Sequence, residues 1–155
     1  MENPFMTRAI ELAIENVRSG RGGPFAAVIV KDSRIVATGT NLVISTNDPT
    51  AHAEVVAIRA ACVALAAFQL DGCDLYTTCE PCPMCLGAIY WARPSRVFFA
   101  CTSADAGAAG FDDAFINAQL ALPIHERKIP LVSMMREQAL TCFQAWEAQP
   151  NRINY

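Results

Sequence analysis

Charged residues are scarce in this sequence, and basic ones do not dominate. Only 17% of the 155 residues are charged, and 12 Lys and Arg stand against 15 Asp and Glu, which gives a net charge of -3. The sequence pI is about 5.3. Proteins that bind a nucleic-acid backbone usually carry a basic stripe, and the basic residues here are scattered. We therefore expect no nucleic-acid partner.

Long apolar runs are also missing. The most apolar stretch after the N-terminus, Ala60 to Phe68, covers nine residues, whereas a membrane-spanning helix needs about 20. The chain does not open on a basic segment followed by an apolar one, so we expect no secretory signal. These features predict a cytoplasmic protein without a membrane partner.

A disulfide framework is not expected from the cysteines. The sequence contains seven, an odd number, which is more typical of free thiols and metal ligands in a chain of this kind. We interpret four of them as small buried hydrophobic side chains, namely Cys62, Cys73, Cys101 and Cys142. His125, which follows a proline, is interpreted as a surface or capping residue.

Apolar patterning predicts alternating helices and strands. Helices are expected at about 5–17, 49–66, 82–92, 112–122 and 137–149, and strands at 25–30, 35–44, 74–78, 96–100 and 131–135. Asp48 and Pro49 are expected to start the second helix. The order favours one domain, residues 1–155, of the α/β class. In this three-layer α/β/α fold a mixed five-stranded sheet lies between helices.

Two short motifs indicate the chemistry. His52 and Glu54 lie in Ala51-His52-Ala53-Glu54, and Pro81-Cys82-Pro83-Met84-Cys85 follows thirty residues after the histidine. Zinc prefers cysteine sulfur and histidine nitrogen, and a catalytic zinc keeps one position of its tetrahedron for water. The pattern is typical of zinc-dependent nucleobase and nucleoside deaminases. We predict His52, Cys82 and Cys85 as the zinc ligands.

The spacing of these motifs favours a shared cleft. Cys82 and Cys85 are three residues apart at a predicted helix start, so both sulfurs face one side and the helix dipole favours their thiolates. Zinc lowers the pKa of bound water to roughly 7. Glu54, two residues from His52, is the predicted catalytic proton carrier.

Cys79 leaves an alternative open, because it lies three residues before Cys82. With His52, Cys82 and Cys85 it would make a closed Cys3His site, as in a non-catalytic zinc-binding module. However, Cys79 falls at the end of a predicted strand, whereas Cys82 and Cys85 share a helix. An open, catalytic site is therefore favoured.

Longer segments around these motifs resemble the cytidine-deaminase superfamily and, within it, the bacterial guanine deaminases. They are Gly22–Phe25, Asn47–Glu54, Cys79–Pro94, Gly110–Asp113 and Phe143–Trp146. The resemblance implies hydrolysis of guanine to xanthine and ammonia in purine catabolism, with one Zn²⁺ per subunit. Ammeline, cytosine or, with less support from the acidic pI, adenosine in tRNA remain alternative substrates.

The same resemblance implies the polar substrate contacts. The Asn41 amide would donate to and accept from the purine edge, and Asp113 would accept a ring N–H. A strand-end role for Asn41 and a capping role for Asp113, which Asp112 fits equally well, stay open.

The resemblance also implies how the base is enclosed. Phe25 and Trp91 would wall the flat ring, although ordinary core packing also suits them. Ala53, inside the His-x-Glu motif, is a further predicted substrate-binding residue.

A homodimer is implied as well, in which the C-terminal segment of about 137–155 is exchanged between subunits. Tyr155 would then reach the partner's site. Pro150 as a hinge and Phe143 and Trp146 as anchors fit this exchange, whereas disorder is the usual condition of a terminus.

Overall fold

The computed structural model describes residues 2–155, which form seven α-helices, one short 3-10 helix and four strands. In chain order they are α1 (Pro4–Arg18), β1 (Ala26–Lys31), β2 (Arg34–Thr40), α2 (Val43–Thr46), α3 (Ala53–Leu65), β3 (Cys73–Cys79), α4 (Pro83–Ala92), β4 (Arg96–Cys101), α5 (Ser103–Ala108), α6 (Ala114–Ala121), the 3-10 turn Ile124–Glu126, and α7 (Arg136–Glu147). The chain divides into two compact units, residues 1–113 and 114–155.

The sheet lies entirely in the first unit, with strand order β2-β1-β3-β4. Strand β1 is antiparallel to β2 and β3, and β3 is parallel to β4. Alternate residues of β1 face opposite sides, as in any strand. Ala27 and Ile29 pack with residues of α3 and α4, and Val28 and Val30 pack with residues of α1. The predicted α/β class, mixed sheet and three layers are therefore confirmed.

One of the five predicted strands, 131–135, was wrong. No described strand pairs with this segment, and Leu131, Val132, Met134 and Met135 are all exposed. Its composition favours an extended backbone, but a strand forms only against a partner edge that accepts its hydrogen bonds.

Strand β2 also ends earlier than the predicted 35–44. The backbone N–H of Val43 donates to Asn41 Oδ1 at 3.3 Å, which bends the chain into α2. An asparagine side chain that captures a nearby N–H competes with the strand ladder. Asn41 is therefore placed at the exit of the strand.

The predicted start of the long helix at Asp48 and Pro49 was wrong as well. Asp48 Oδ1 accepts hydrogen bonds from Thr50 N at 2.8 Å and Thr50 Oγ1 at 2.7 Å. This local turn uses the carboxylate that was expected to cap the helix. Helix α3 instead begins at Ala53, with His52 at the N-cap.

Helix α3 lies directly against β2 at Gly39. A Cβ atom at Gly39 would lie 2.3 Å from the Ala53 carbonyl oxygen and 2.4 Å from Ala57 N. Real Cβ atoms do not approach backbone so closely, so a larger residue there requires the helix to move. The sheet therefore sets the position of the α3 N-terminus.

The second unit contains α6, the 3-10 turn and α7. Neither helix has a buried residue. Trp146 and Tyr155 pack edge to face, with ring centroids 6.4 Å apart. Across residues 2–155, no helix has the length and apolar character required to cross a membrane.

Candidate active site

Two helix N-termini bring the predicted metal ligands together. His52 is the N-cap of α3, Cys82 is the N-cap of α4, and Cys85 lies in the first turn of α4. The His52 Nδ1 atom is 3.5 Å from each sulfur, and the ligand atoms of all three residues lie within 4.8 Å of one another. The sequence motifs thus converge on one His/Cys/Cys group.

The geometry of this group fits zinc. Zinc bonds of about 2.05 Å to nitrogen and about 2.3 Å to sulfur, at a tetrahedral angle, place the nitrogen and sulfur roughly 3.6 Å apart. The observed separations of 3.5 Å agree with that value. Within the described residues the group comprises three side chains, so the donor set matches an open rather than a closed zinc site.

Cys79 does not join the group. Its Sγ donates to the Thr102 carbonyl oxygen at 3.4 Å, and burial raises the pKa of its thiol to about 11. Within residues 2–155, the ligand atoms that converge belong to His52, Cys82 and Cys85, without Cys79. The closed Cys3His arrangement is therefore not formed.

The two predicted ligand cysteines, Cys82 and Cys85, are linked by a hydrogen bond when no cation is present. The hydrogen bond from Cys85 stabilises the Cys82 thiolate and lowers the Cys82 pKa to about 4. The same hydrogen bond, together with burial, raises the pKa of Cys85. The Cys82 sulfur also raises the pKa of His52. A divalent cation would displace these protons, because metal binding requires deprotonated ligands.

Glu54 is buried beside this group, with 6% of its surface exposed. Its Oε2 accepts a hydrogen bond from Cys85 Sγ at 3.4 Å. Burial raises the pKa of the Glu54 carboxyl, because the charged form loses its contact with water. A carboxylate with a raised pKa takes up a proton more readily than a free carboxylate does, which suits a general base.

Three predicted substrate residues, Phe25, Asn41 and Ala53, lie on segments that meet near the start of α3. Ala53 is fully buried at the first position of α3, and Asn41 is 8% exposed at the exit of β2. Asn41 N donates to the Phe25 carbonyl oxygen at 3.0 Å, and Leu42 N donates to the Ala51 carbonyl oxygen at 2.9 Å. These hydrogen bonds join the segments that carry Phe25, Asn41 and His52.

Phe111 is a neighbour of Phe25 that was not among the predicted site residues. The two rings meet edge to face, with centroids 4.9 Å apart and an interplanar angle of 87°. The sequence signal for Phe111 is its position beside Asp112 and Asp113 in the Gly110–Asp113 segment.

The remaining predicted substrate residues are more exposed or lie elsewhere along the chain. Trp91 is 65% exposed near the C-terminal end of α4, and Tyr155 is 71% exposed in the second unit. Asp113, half-buried, is the last residue of the first unit. Their contacts with substrate stay predictions.

Comparison with known proteins extends these observations. Residues 1–101 match the sequence model of the cytidine and deoxycytidylate deaminase zinc-binding region. The chain is 57% identical over 151 residues to a guanine deaminase of Bacillus subtilis, covering 97% of each chain. An X-ray structure of Bacillus subtilis guanine deaminase matches with a TM-score of 0.96 and 56% identity, covering 100% of this chain and 99% of that one. A tRNA-specific adenosine deaminase of Agrobacterium fabrum is 43% identical over 105 residues, covering 66% of this chain and 69% of that protein.

Proposed function

Because the chain belongs to the cytidine and deoxycytidylate deaminase zinc-binding family, we propose that it hydrolyses guanine to xanthine and ammonia. The reaction class is supported by Glu54, buried beside the His/Cys/Cys group. The choice of guanine is supported by one observation above all, the near full-length similarity to a guanine deaminase. The similarity to a tRNA-specific adenosine deaminase covers a smaller share of the chain.

We propose that His52, Cys82 and Cys85 hold one zinc ion per chain. Bound zinc would lower the pKa of a water molecule and so supply a nucleophile near neutral pH. The residues themselves fix where that chemistry takes place, because their ligand atoms converge at the ends of two helices.

Glu54 carries the protons in this proposal. Its carboxylate takes a proton from the attacking water and delivers it to the ring nitrogen next to the amine-bearing carbon. It then moves the remaining hydroxyl proton to the departing amine as the bond between carbon and amine breaks. Guanine and water thus become xanthine and ammonia, and Glu54 returns to its starting state.

The proposed recognition of guanine uses polar groups at its edge and rings at its faces. Asn41 and Asp113 would pair with the ring edge, because a buried donor or acceptor without a partner costs about 1–3 kcal/mol. Phe25, braced by Phe111, would contact the base. Ala53 would line the pocket at the α3 N-terminus, and Trp91 would close it.

We also propose a homodimer in which the C-terminal segments are exchanged and Tyr155 completes the partner's site. The support is the set of large apolar side chains left exposed in residues 114–155, including Ile129, Val132, Met134 and Phe143. Exposed apolar surface of this extent is typical of an interface. A cytoplasmic role in purine catabolism, with no nucleic-acid partner, accompanies this proposal.

A substrate panel tests the proposal. The zinc-loaded protein is incubated with guanine, ammeline, cytosine and a tRNA that carries an accessible adenosine, and ammonia release is followed. We expect guanine to give the highest kcat/KM. A higher value for cytosine or for the tRNA would refute guanine deamination, and a higher value for ammeline would replace it with deamination of another small ring.

A further inference from the structure

Helix α1 carries an asparagine on its buried face. Ala9, Ala13 and Asn16 are the buried residues of this helix, and Asn16 is fully buried. Spacings of four and three residues place them on the same side. A buried amide adds little stability unless its hydrogen bonds are made, so the partners of Asn16 indicate what it does.

The donor end of Asn16 holds two loops at once. Its Nδ2 donates to the Gly23 carbonyl oxygen at 3.0 Å and to the Asn41 carbonyl oxygen at 2.9 Å. Two carbonyl acceptors identify that end of the amide as the nitrogen. One side chain therefore ties α1 to the loop before β1 and to the exit of β2.

The backbone of Asn41 is fixed from both sides as a result. Its carbonyl accepts from Asn16, and its N–H donates to the Phe25 carbonyl oxygen at 3.0 Å. The backbone on either side of the Asn41 Cα is thereby held. These two hydrogen bonds, together with the one from Val43 N to Asn41 Oδ1 at 3.3 Å, fix the direction in which the Asn41 side chain leaves the backbone.

Gly22 is required for this arrangement. A Cβ atom at Gly22 would lie 2.0 Å from the Asn41 carbonyl oxygen and 3.1 Å from Asn16 Nδ2. Any larger residue at position 22 would therefore push the Asn41 backbone away from Asn16. Substitution there disturbs the same contact without removing the amide.

The donor end of Asn16, rather than its acceptor end, makes the contacts that hold the neighbouring loops. Its Oδ1 atom is buried and accepts no hydrogen bond among the described residues. Such an atom costs free energy in the folded state. A leucine of similar size would avoid that cost but would not hold the Gly23 and Asn41 carbonyls.

We propose that Asn16 is a positioning residue for substrate recognition: by holding the Gly23 and Asn41 carbonyls, it orients the Asn41 side chain toward the purine edge. Asn16 acts through Asn41 and does not touch the substrate. This inference rests on the proposed function, because it assigns Asn16 a role in how that same site recognises guanine.

A double-mutant cycle tests the role. We expect Asn16→Leu to lower kcat/KM for guanine about tenfold, with the change mainly in KM. This is the effect of losing one hydrogen bond between Asn41 and guanine. In an Asn41→Ala background the same substitution should change kcat/KM less than twofold, because the group it orients is gone. An equal loss in both backgrounds would show that Asn16 acts elsewhere and would overturn the proposal.

If turnover is too slow to measure, the same cycle is carried out on binding. 8-Azaguanine is titrated into Glu54→Gln forms of the wild type, the two single variants and the double variant, and Kd replaces kcat/KM.

Two further variants separate positioning from stability. Leu12→Ala, on the same helix and partly buried against the sheet, should lower the melting temperature and leave KM for guanine unchanged. If Asn16→Leu does not fold, Gly22→Ala replaces it, and a raised KM that disappears in the Asn41→Ala background is again expected. A folded Asn16→Leu or Gly22→Ala protein with unchanged KM would overturn the proposed role of Asn16 and leave the proposed guanine deamination untouched. Failure of the wild-type protein to deaminate guanine would instead refute the proposed function.

Discussion

Residues 2–113 bury many of their apolar side chains, whereas residues 114–155 leave most of theirs exposed. In the first region β1 is almost wholly buried, and α3 contributes five buried residues. In the second, α6 and α7 contribute none, and Phe143, Val132 and Met134 are 66%, 80% and 77% exposed. The first region therefore contains its own core and the candidate reaction centre. The second leaves large apolar side chains exposed, which is the observation that supports the proposed interface.

The largest effect is expected from Glu54→Gln, in the first region. The substitution keeps the shape of the buried side chain but removes its ability to exchange a proton, so kcat should fall by about 10²–10⁴. Zinc content, measured on the same preparation, should not change. Glu11→Gln, at an exposed position of α1, serves as a control with unaltered kcat. Near-normal turnover by Glu54→Gln would rule out the proposed proton carrier.

Gly39→Ala tests whether the sheet sets the reaction geometry. The added Cβ atom would clash with the Ala53 carbonyl oxygen and Ala57 N, so α3 must shift. We expect destabilisation of about 1–3 kcal/mol and a loss of up to about 10² in kcat, since a displacement of about 1 Å has that effect. Gly107→Ala is the matched control, because a Cβ at Gly107 meets nothing within 4 Å. Equal behaviour of the two variants would contradict the close packing of α3 on β2.

Deletion of Ile153 to Tyr155 tests the second region. We expect guanine turnover to fall by about tenfold or more, because a group that orients substrate is lost. Mixing this deleted chain with a Glu54→Gln chain should restore activity, since a mixed dimer combines an intact site with an intact tail. Light scattering checks that both chains dimerise. Unchanged turnover after deletion would remove Tyr155 from the site, and a failure of mixing to restore activity would place its action within one chain.

The smallest effect is expected from Cys79→Ala. Cys79 is buried and bonded to the Thr102 carbonyl oxygen, so its loss should cost about 1 kcal/mol through a small cavity. Zinc content should stay at the wild-type level, whereas Cys85→Ala should lose the metal. Metal analysis of the two variants shows whether Cys79 is a zinc ligand. Loss of zinc from Cys79→Ala would restore the closed Cys3His alternative.

Local pattern predicted most of the first region. The apolar run that forms β1 and the proline at the start of α4 mark those elements without any knowledge of the rest of the chain. The two halves of the predicted metal site were recognisable because His-x-Glu followed by Pro-Cys-x-x-Cys is typical of zinc-dependent deaminases. Such signals lie within a few neighbouring residues, so the sequence displays them directly.

Two kinds of feature were not predictable in the same way: local turns that compete with a helix cap, and contacts between distant residues. Asp48 resembles a helix cap, but its carboxylate is used by Thr50. The segment 131–135 has the composition of a strand, yet pairing depends on an edge that local composition does not specify. Asn16 was not among the predicted site residues, because its two acceptors lie seven and 25 residues away.

The N-caps of α3 and α4 have a consequence for the protein before it is loaded with metal. In the part of the chain described here, neither His52 nor Cys82 uses its side chain to cap its own helix. His52 therefore does not give the first backbone N–H groups of α3 the side-chain partner that a serine or aspartate would supply. The amide protons in the first turns of both helices should therefore exchange more slowly once a cation joins the two N-caps.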